Sequence, residues 1–179
     1  IKASKYGTVN IATKKHDFDS NTNYAQGGIA SVLSPDDSFE DHINDTLKAG
    51  DGLCNVEAVN LLVREGPQRV NELIDWGTAF SKNNSNKDKG QLDVGREGRQ
   101  SHNRVAHAKD LTGQEIERAL LGKVDSIDNI KIFENHTAVD LLTEHQLNLQ
   151  SNKIKYDKKN GIHCYGAYIL DNETGLVHI

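Results

Sequence analysis

The opening fourteen residues constrain the fold most. Ile1 to Tyr6 has the character of the last turns of a helix closed by Gly7, and Thr8-Val9-Asn10-Ile11-Ala12-Thr13 then alternates as a strand does. A helix that ends in glycine and runs into a buried strand is half of a βαβ unit, so an α/β fold is expected. After it, Lys14 to Leu33 shows no helical period and is rich in Asn, Ser and Gly, which predicts a loop. Loops of that length inside a compact domain are usually functional or disordered.

The chain then turns helical. Asp37 and Glu40 have capping-box spacing, and Phe39, Ile43 and Leu47 mark one face up to Gly50. Asn55 is placed to cap a second helix carrying Val59, Leu62 and Val63. Pro67 suits the first turn of a third, with Val70, Leu73 and Ile74 inward and Gly77 at its end. Ser81 to Asp93 is too polar to bury much surface and reads as a surface excursion. Thr112-x-x-Glu115 has the form of a capping box for a helix bearing Ile116, Ala119 and Leu120. Beyond Asn129 the period becomes two: Ile130 to Phe133, Ala138 to Leu142, Leu147 to Gln150, Lys153 to Tyr156 and Cys164 to Leu170 are predicted strands, with Asn-Gly or Glu-Thr-Gly turns between some of them, the later ones an antiparallel meander.

Composition removes several functions. A chain of 179 residues is long enough for one domain, or for two small lobes. It is 36% hydrophobic and 26% charged, with no apolar run near the length of a membrane-spanning helix. A net charge of -5 argues against nucleic-acid binding through the overall field. Cys54 and Cys164 lie far apart without CxxC spacing, which suggests a reducing, cytoplasmic setting and gives no support to a metal site. The chain contains no Met, lacks a signal-peptide pattern and stops in the apolar alternation Val177-His178-Ile179, so both ends are expected to be internal to a longer protein.

Two segments have the chemistry of a site. Ser20, Asn21, Thr22 and Gly27-Gly28 follow the opening strand and offer backbone N–H groups and hydroxyls with no side chain in the way, a surface suited to a pyrophosphate. A plain flexible loop accounts for them equally well. The second segment, Gly95-Arg96-Glu97-Gly98-Arg99-Gln100-Ser101-His102-Asn103-Arg104 with His107, places arginines able to hold carboxylates around an acid able to bind an ammonium or move a proton. An amino-dicarboxylic acid fits that combination. Zinc fits less well, because His102 and His107 are five residues apart and do not share a helical face. On residue types alone, a solvated surface is the commoner state of such a loop.

A resemblance changes that balance. The run Asn21-Thr22-Asn23-Tyr24-Ala25-Gln26-Gly27-Gly28-Ile29-Ala30, then Asp36-Asp37-Ser38, His42, Asp45-Thr46-Leu47 and Ala49-Gly50, resembles the L-aspartate oxidase family of the fumarate reductase and succinate dehydrogenase flavoproteins. So do Arg96-Glu97-Gly98, Ser101-His102, Arg104, His107-Ala108, Thr112-Gly113-Gln114-Glu115 and Thr137-Ala138-Val139-Asp140-Leu141. The resemblance implies a partial Rossmann-like FAD-binding domain over residues 1–179, with a helical segment and an inserted antiparallel β meander. It implies that the Gly-rich phosphate-binding unit and the capping domain lie outside this chain, and that the chain alone is inactive.

By the same resemblance Lys14, Asn21, Thr22, Asn23, Tyr24, Ala25, Gln26, Gly27 and Gly28 contact FAD, and Thr137 and Ala138 hold its adenine end. Glu97 matches a substrate-contacting acid, with His102 and Arg104 as further candidates in the substrate loop. The implied reaction oxidises L-aspartate to iminoaspartate, with oxygen or fumarate as electron acceptor and quinolinate synthase acting next, at the start of NAD biosynthesis. Runner-up readings are a succinate dehydrogenase or fumarate reductase flavoprotein, and a non-catalytic nucleotide-binding module. Covalent flavoproteins of the superfamily carry a His six residues before the paired glycines; Asn21 stands there, which implies noncovalent FAD. Arg99 departs from the family, in which Gly is usual.

Overall fold

The computed structural model describes residues 1–83, 90–144 and 163–179. The predicted strands Leu147 to Gln150 and Lys153 to Tyr156 lie outside the described residues. The chain forms two compact units, one of Ile1–Asp19 with Ile127–Ile179 and the other of Ser20–Ser126.

In the first unit, β1 (Val9–Ala12) pairs in parallel with β5 (Ile130–Phe133), in register from Val9 opposite Ile130 to Ala12 opposite Phe133. Parallel neighbours need a long crossover, and here the chain of the other unit runs between them. The segment before Gly7 is a single 3₁₀ turn, Ala3–Lys5, and not the end of an α-helix. The Asn129 side chain ties this turn down, donating to the carbonyls of Ser4 (2.7 Å) and Gly7 (2.9 Å). Asn10, Ile11 and Ala12 are exposed, where burial was expected.

The meander is present as β6 (His136–Thr143), β7 (Cys164–Asp171) and β8 (Val177–His178), antiparallel and adjacent in that order. A register shift between Ala138 and Asp140 makes a bulge at Val139. The predicted Glu-Thr-Gly turn joins β7 to β8: the Asp171 carboxylate accepts from the N–H groups of Glu173 and Thr174, and Gly175 takes φ +74°. That left-handed conformation is one glycine adopts without a steric penalty.

The second unit holds the core. A three-stranded sheet in the order β2 (Ile29–Ala30), β4 (Val105–Ala106), β3 (Val94–Gly95) accompanies α1 (Phe39–Ala49), α2 (Val56–Asp75) and α3 (Thr112–Asp125). Val70, Phe80, Ala106 and Ile116 are buried together, with Leu33, Leu73, Ile74, Leu92 and Leu120 packed around them.

The cap of α1 is Ser38, one residue after the predicted Asp37: its hydroxyl accepts from the Asp41 N–H at 3.0 Å and donates to the Asp41 carboxylate at 2.7 Å. Asp37 is drawn elsewhere, as described below. Asn55 caps α2 as predicted, accepting from the Ala58 N–H at 3.1 Å. The helix does not restart at Pro67; it runs through it to Asp75. An interior proline costs about 3 kcal/mol, and two features offset it. Gly66 has no Cβ to clash with the proline ring, and Val63 and Val70, each 1% exposed, continue one buried face across the break. Gly77 ends the helix in a Schellman arrangement, its N–H on the Ile74 carbonyl and that of Thr78 on Leu73.

At α3 the predicted capping box does not form. Leu111 is the N-cap, the Thr112 hydroxyl accepts from the Ala108 N–H at 3.0 Å, and Glu115 reaches the Ala79 N–H at 2.7 Å and the Arg118 guanidinium. Tertiary partners have replaced the local pairing.

Candidate functional site

Two glycines fix the polar loop of the second unit. The Gly113 N–H, in the first turn of α3, donates to the Ala25 carbonyl at 2.9 Å. A Cβ at Gly113 would collide with the carbonyl oxygens of Thr22 and Ala25, and one at Gly28 with Val105 and the Ala106 carbonyl. The loop is thus pinned by α3 at Ala25 and by β4 at Gly28. Ahead of Ala25 it closes on itself, with the Ala25 N–H on the Thr22 carbonyl and the Asn23 N–H on the Ser20 hydroxyl. Gly113→Ala is expected to destabilise this unit by about 1–3 kcal/mol, the usual penalty of an added methyl with no room. Thermal unfolding of the variant checks it.

Gly27 differs from its neighbour. Among the described residues, the Glu97 carboxylate oxygen, 3.9 Å away, is the one heavy atom within 4 Å of where its Cβ would stand, apart from its two chain neighbours. Asn21, Thr22, Tyr24, Ala25, Gln26, Gly27 and Gly28 are all exposed, and Asn23 is half-buried. Open backbone at Gly27, flanked by an exposed amide and hydroxyl-bearing turn, fits the close approach of a pyrophosphate or ribityl chain. The FAD implied by the sequence resemblance fits these residues.

Glu97 sits on the loop between β3 and β4, which the Arg104 N–H closes on the Gly95 carbonyl at 3.0 Å. Its turn is held internally: the Arg96 Nε donates to the Gln100 carbonyl at 2.8 Å and the Glu97 N–H to the Gln100 side chain at 3.3 Å. Arg99, at the position where the resemblance leads one to expect Gly, adopts φ +67°. The turn keeps the shape a glycine would take, at a cost of roughly 1–2 kcal/mol. In part compensation the Arg99 guanidinium donates to the Ala49 carbonyl at the C-terminus of α1 (3.3 Å), where a cation is favoured.

Arg104, grouped with His102 as a substrate-loop candidate, is wholly buried. Its Nε and Nη2 fork onto the two Asp37 oxygens at 2.9 and 2.8 Å, and its Nη1 meets Asp45 at 2.9 Å. The guanidinium is therefore occupied inside the unit. Burial raises the Asp45 pKa, but bonds from Ser101 and Arg104 outweigh it and hold the carboxyl below its ordinary value. Next to them His42 is buried, and burial followed by the Arg104 charge lowers its pKa, so it is neutral at neutral pH.

His102 is half-buried with its Nε2 3.5 Å from the Asp41 carboxylate. Asp37, Asp41 and His102 bring ligand atoms within 4.8 Å of one another. Both Asp37 oxygens already accept from Arg104, whose charge opposes a cation there.

The remaining candidates belong to the first unit. The Asn172 side-chain amide donates to the Lys14 carbonyl (3.4 Å) and is paired with the Thr137 hydroxyl (3.0 Å), so Lys14 and Thr137 are brought together, with exposed Ala138 next in the strand. Asn172 was missed in the sequence, as were Asp37 and Asp45 as partners of Arg104. Their partners lie 35 to 158 residues away, beyond the reach of any local pattern.

Among the described residues no helix is long and apolar enough to cross a membrane. The family described as FAD binding domain matches residues 1–178. The chain is 49% identical over 174 residues to "L-aspartate oxidase, chloroplastic" of Oryza sativa subsp. japonica, covering 97% of this chain and 24% of that protein. It is 44% identical to the protein of the same name from Arabidopsis thaliana (99% and 25% covered) and 37% identical to "L-aspartate oxidase" of Vibrio cholerae (86% and 29%). Among solved structures it superposes on a quinol-fumarate reductase with menaquinol molecules at TM-score 0.78 and 25% identity, covering 99% of this chain and 27% of that one. A mutant E. coli quinol fumarate reductase gives 0.76 at 26% identity, with 95% and 26% covered. The chain spans about a quarter of the length of the plant relatives it matches. With the α/β architecture, the parallel β1–β5 pair and the antiparallel meander in place, this chain belongs to the FAD binding domain family.

Proposed function

We propose that this chain is part of the FAD-binding domain of an L-aspartate oxidase, which converts L-aspartate to iminoaspartate and passes the electrons to oxygen or fumarate. One observation carries the reading: the Glu97 carboxylate lies 3.9 Å from the Cβ position of open Gly27. An acid beside the open backbone of a flavin loop is placed to hold an ammonium group next to the cofactor, which a dicarboxylate without an amine does not require. Arg96, in the same exposed turn, supplies a cation suited to a substrate carboxylate. Asn21 to Gly28 would hold the ribityl and pyrophosphate part of FAD, and Lys14, Thr137 and Ala138 its adenosine end. FAD, when bound, supplies the two-electron acceptor; the protein supplies binding, orientation and charge.

The test is the flavin absorbance of the full-length protein under anaerobic L-aspartate. Loss of the yellow band supports the proposal, loss with succinate alone supports the dehydrogenase or fumarate reductase alternative, and absence of flavin supports a non-catalytic module. Quinolinate synthase is the proposed consumer of the product. The cytoplasm remains the proposed compartment, to be checked by fractionation because plant relatives carry "chloroplastic" in their names.

A second expectation follows from Asn21. An amide donates and accepts hydrogen bonds but has no imidazole nitrogen to join a flavin. Acid precipitation of the full-length holoprotein should leave the colour in the supernatant. Colour retained in a washed pellet would overturn the preference for the oxidase.

A further inference from the structure

Glu97 is positioned by a chain of contacts that ends in groups it does not touch. The loop bearing it leaves β3 at Gly95 and returns to β4 at Arg104. Near its return, Ser101 donates twice to one oxygen of Asp45, from its backbone N–H and from its hydroxyl, each at 2.7 Å. The same Asp45 oxygen accepts from the Arg104 Nη1 at 2.9 Å. Arg104 is in turn forked onto Asp37, whose side chain is 1% exposed, and its carbonyl accepts from the Ser31 N–H at 2.9 Å. The exposed loop is thereby fastened through one carboxylate to a buried ion group.

We propose that Asp45 is a positioning residue, which holds Ser101 and so sets where the Arg96–Gln100 turn presents Glu97 beside Gly27. Between Glu97 and Ser101 the turn has little freedom, because Gln100 bonds the Glu97 backbone in both directions, N–H to side chain and N–H to carbonyl. A displacement of Ser101 is therefore passed to Glu97. An aspartate suits this place because only an ionised carboxylate accepts from a guanidinium, an N–H and a hydroxyl at once. The inference rests on the substrate role of Glu97 given above.

The test is Asp45→Asn in the full-length protein, read in two ways. Losing charge-assisted bonds should speed hydrogen exchange at the Ser101 amide and its loop, and raise the KM for L-aspartate, each roughly tenfold. Flavin content should not change, and kcat should stay within about twofold, since the reacting groups are intact. A purely structural Asp45 would lower the unfolding midpoint without moving KM at folded temperatures. Should Asp45→Asn fail to fold, Ser101→Ala removes one of the two Ser101 bonds at an exposed position and should raise KM about threefold, by the same argument. Unchanged exchange and unchanged KM in the variant that folds overturn the proposal. If the unmutated protein shows no aspartate-dependent flavin reduction, the functional reading fails on its own, and the exchange measurement still decides whether Asp45 holds the loop.

Discussion

Glu97→Gln is expected to lower kcat/KM for L-aspartate by about a hundredfold in the full-length protein, with flavin content unchanged; a hydrogen bond between charged groups contributes about 1.5–3 kcal/mol, and a carboxylate facing an ammonium is of that kind. The amide keeps the size and shape of the acid and removes its charge. The substitution should not disturb the turn, because the bonds that hold Glu97 use its backbone: its N–H donates to the Gln100 side chain and its carbonyl accepts from the Gln100 N–H, both at 3.3 Å. Nor should it loosen the cofactor, since a negative group beside Gly27 offers nothing to a pyrophosphate. Steady-state turnover and the flavin-to-protein absorbance ratio measure the two halves of this expectation. Turnover equal to that of the parent would remove Glu97 from the substrate site.

How far such a site can be read from sequence depends on the separation of the groups that build it. Asn55 at the start of α2, Gly77 at its end and the Asp171 turn act within two to five residues, and each was legible as a local pattern. The error at Pro67 has another origin. Proline and glycine in succession form a strong local stop signal, but the face carrying Val63 and Val70 continues across it, and burial outweighs local preference. Thr112 and Glu115 failed as a capping box for a related reason, since Ala108 and Ala79 offered them N–H groups from outside the helix.

The site divides along the same line. The Gly27-Gly28 loop and the Arg96–Arg104 segment were visible one at a time, each with the chemistry expected of it. Their meeting was not legible in either segment alone, because Gly27 and Glu97 are brought together by β4, on which Gly28 packs, with which β2 pairs and to which the Glu97 loop returns. Resemblance to a family named the motif containing His42 and Asp45 without giving Asp45 any task. The geometry supplies one, through Ser101 and Arg104.

Arg104 carries the largest stability effect. Removing one partner of a buried ion group leaves the others charged and unsolvated, which costs about 3–5 kcal/mol. Arg104→Met, close to arginine in length, leaves Asp37 and Asp45 facing each other without a cation, with Asp37 almost wholly inaccessible. Stability should fall by that amount in the unit Ser20–Ser126. Trp76, at the C-cap of α2 and the one tryptophan of the chain, reports on this unit alone, so urea unfolding followed by its fluorescence isolates the effect. Arg64, exposed and paired with Glu40 at 3.1 Å, is the matched control: Arg64→Ala should change stability by less than about 1 kcal/mol, as surface pairs do. The Arg104 contribution should also fade in acid. The Asp45 carboxyl is held below its ordinary pKa in the folded chain, so its share of stability is present above the ordinary aspartate value and is lost as the pH falls through the depressed one. Arg104→Met should therefore lose less than the parent on acidification. An Arg104→Met variant as stable as the parent at neutral pH would mean that the two carboxylates are solvated in the folded chain, and the buried ion group would no longer account for how this loop is held.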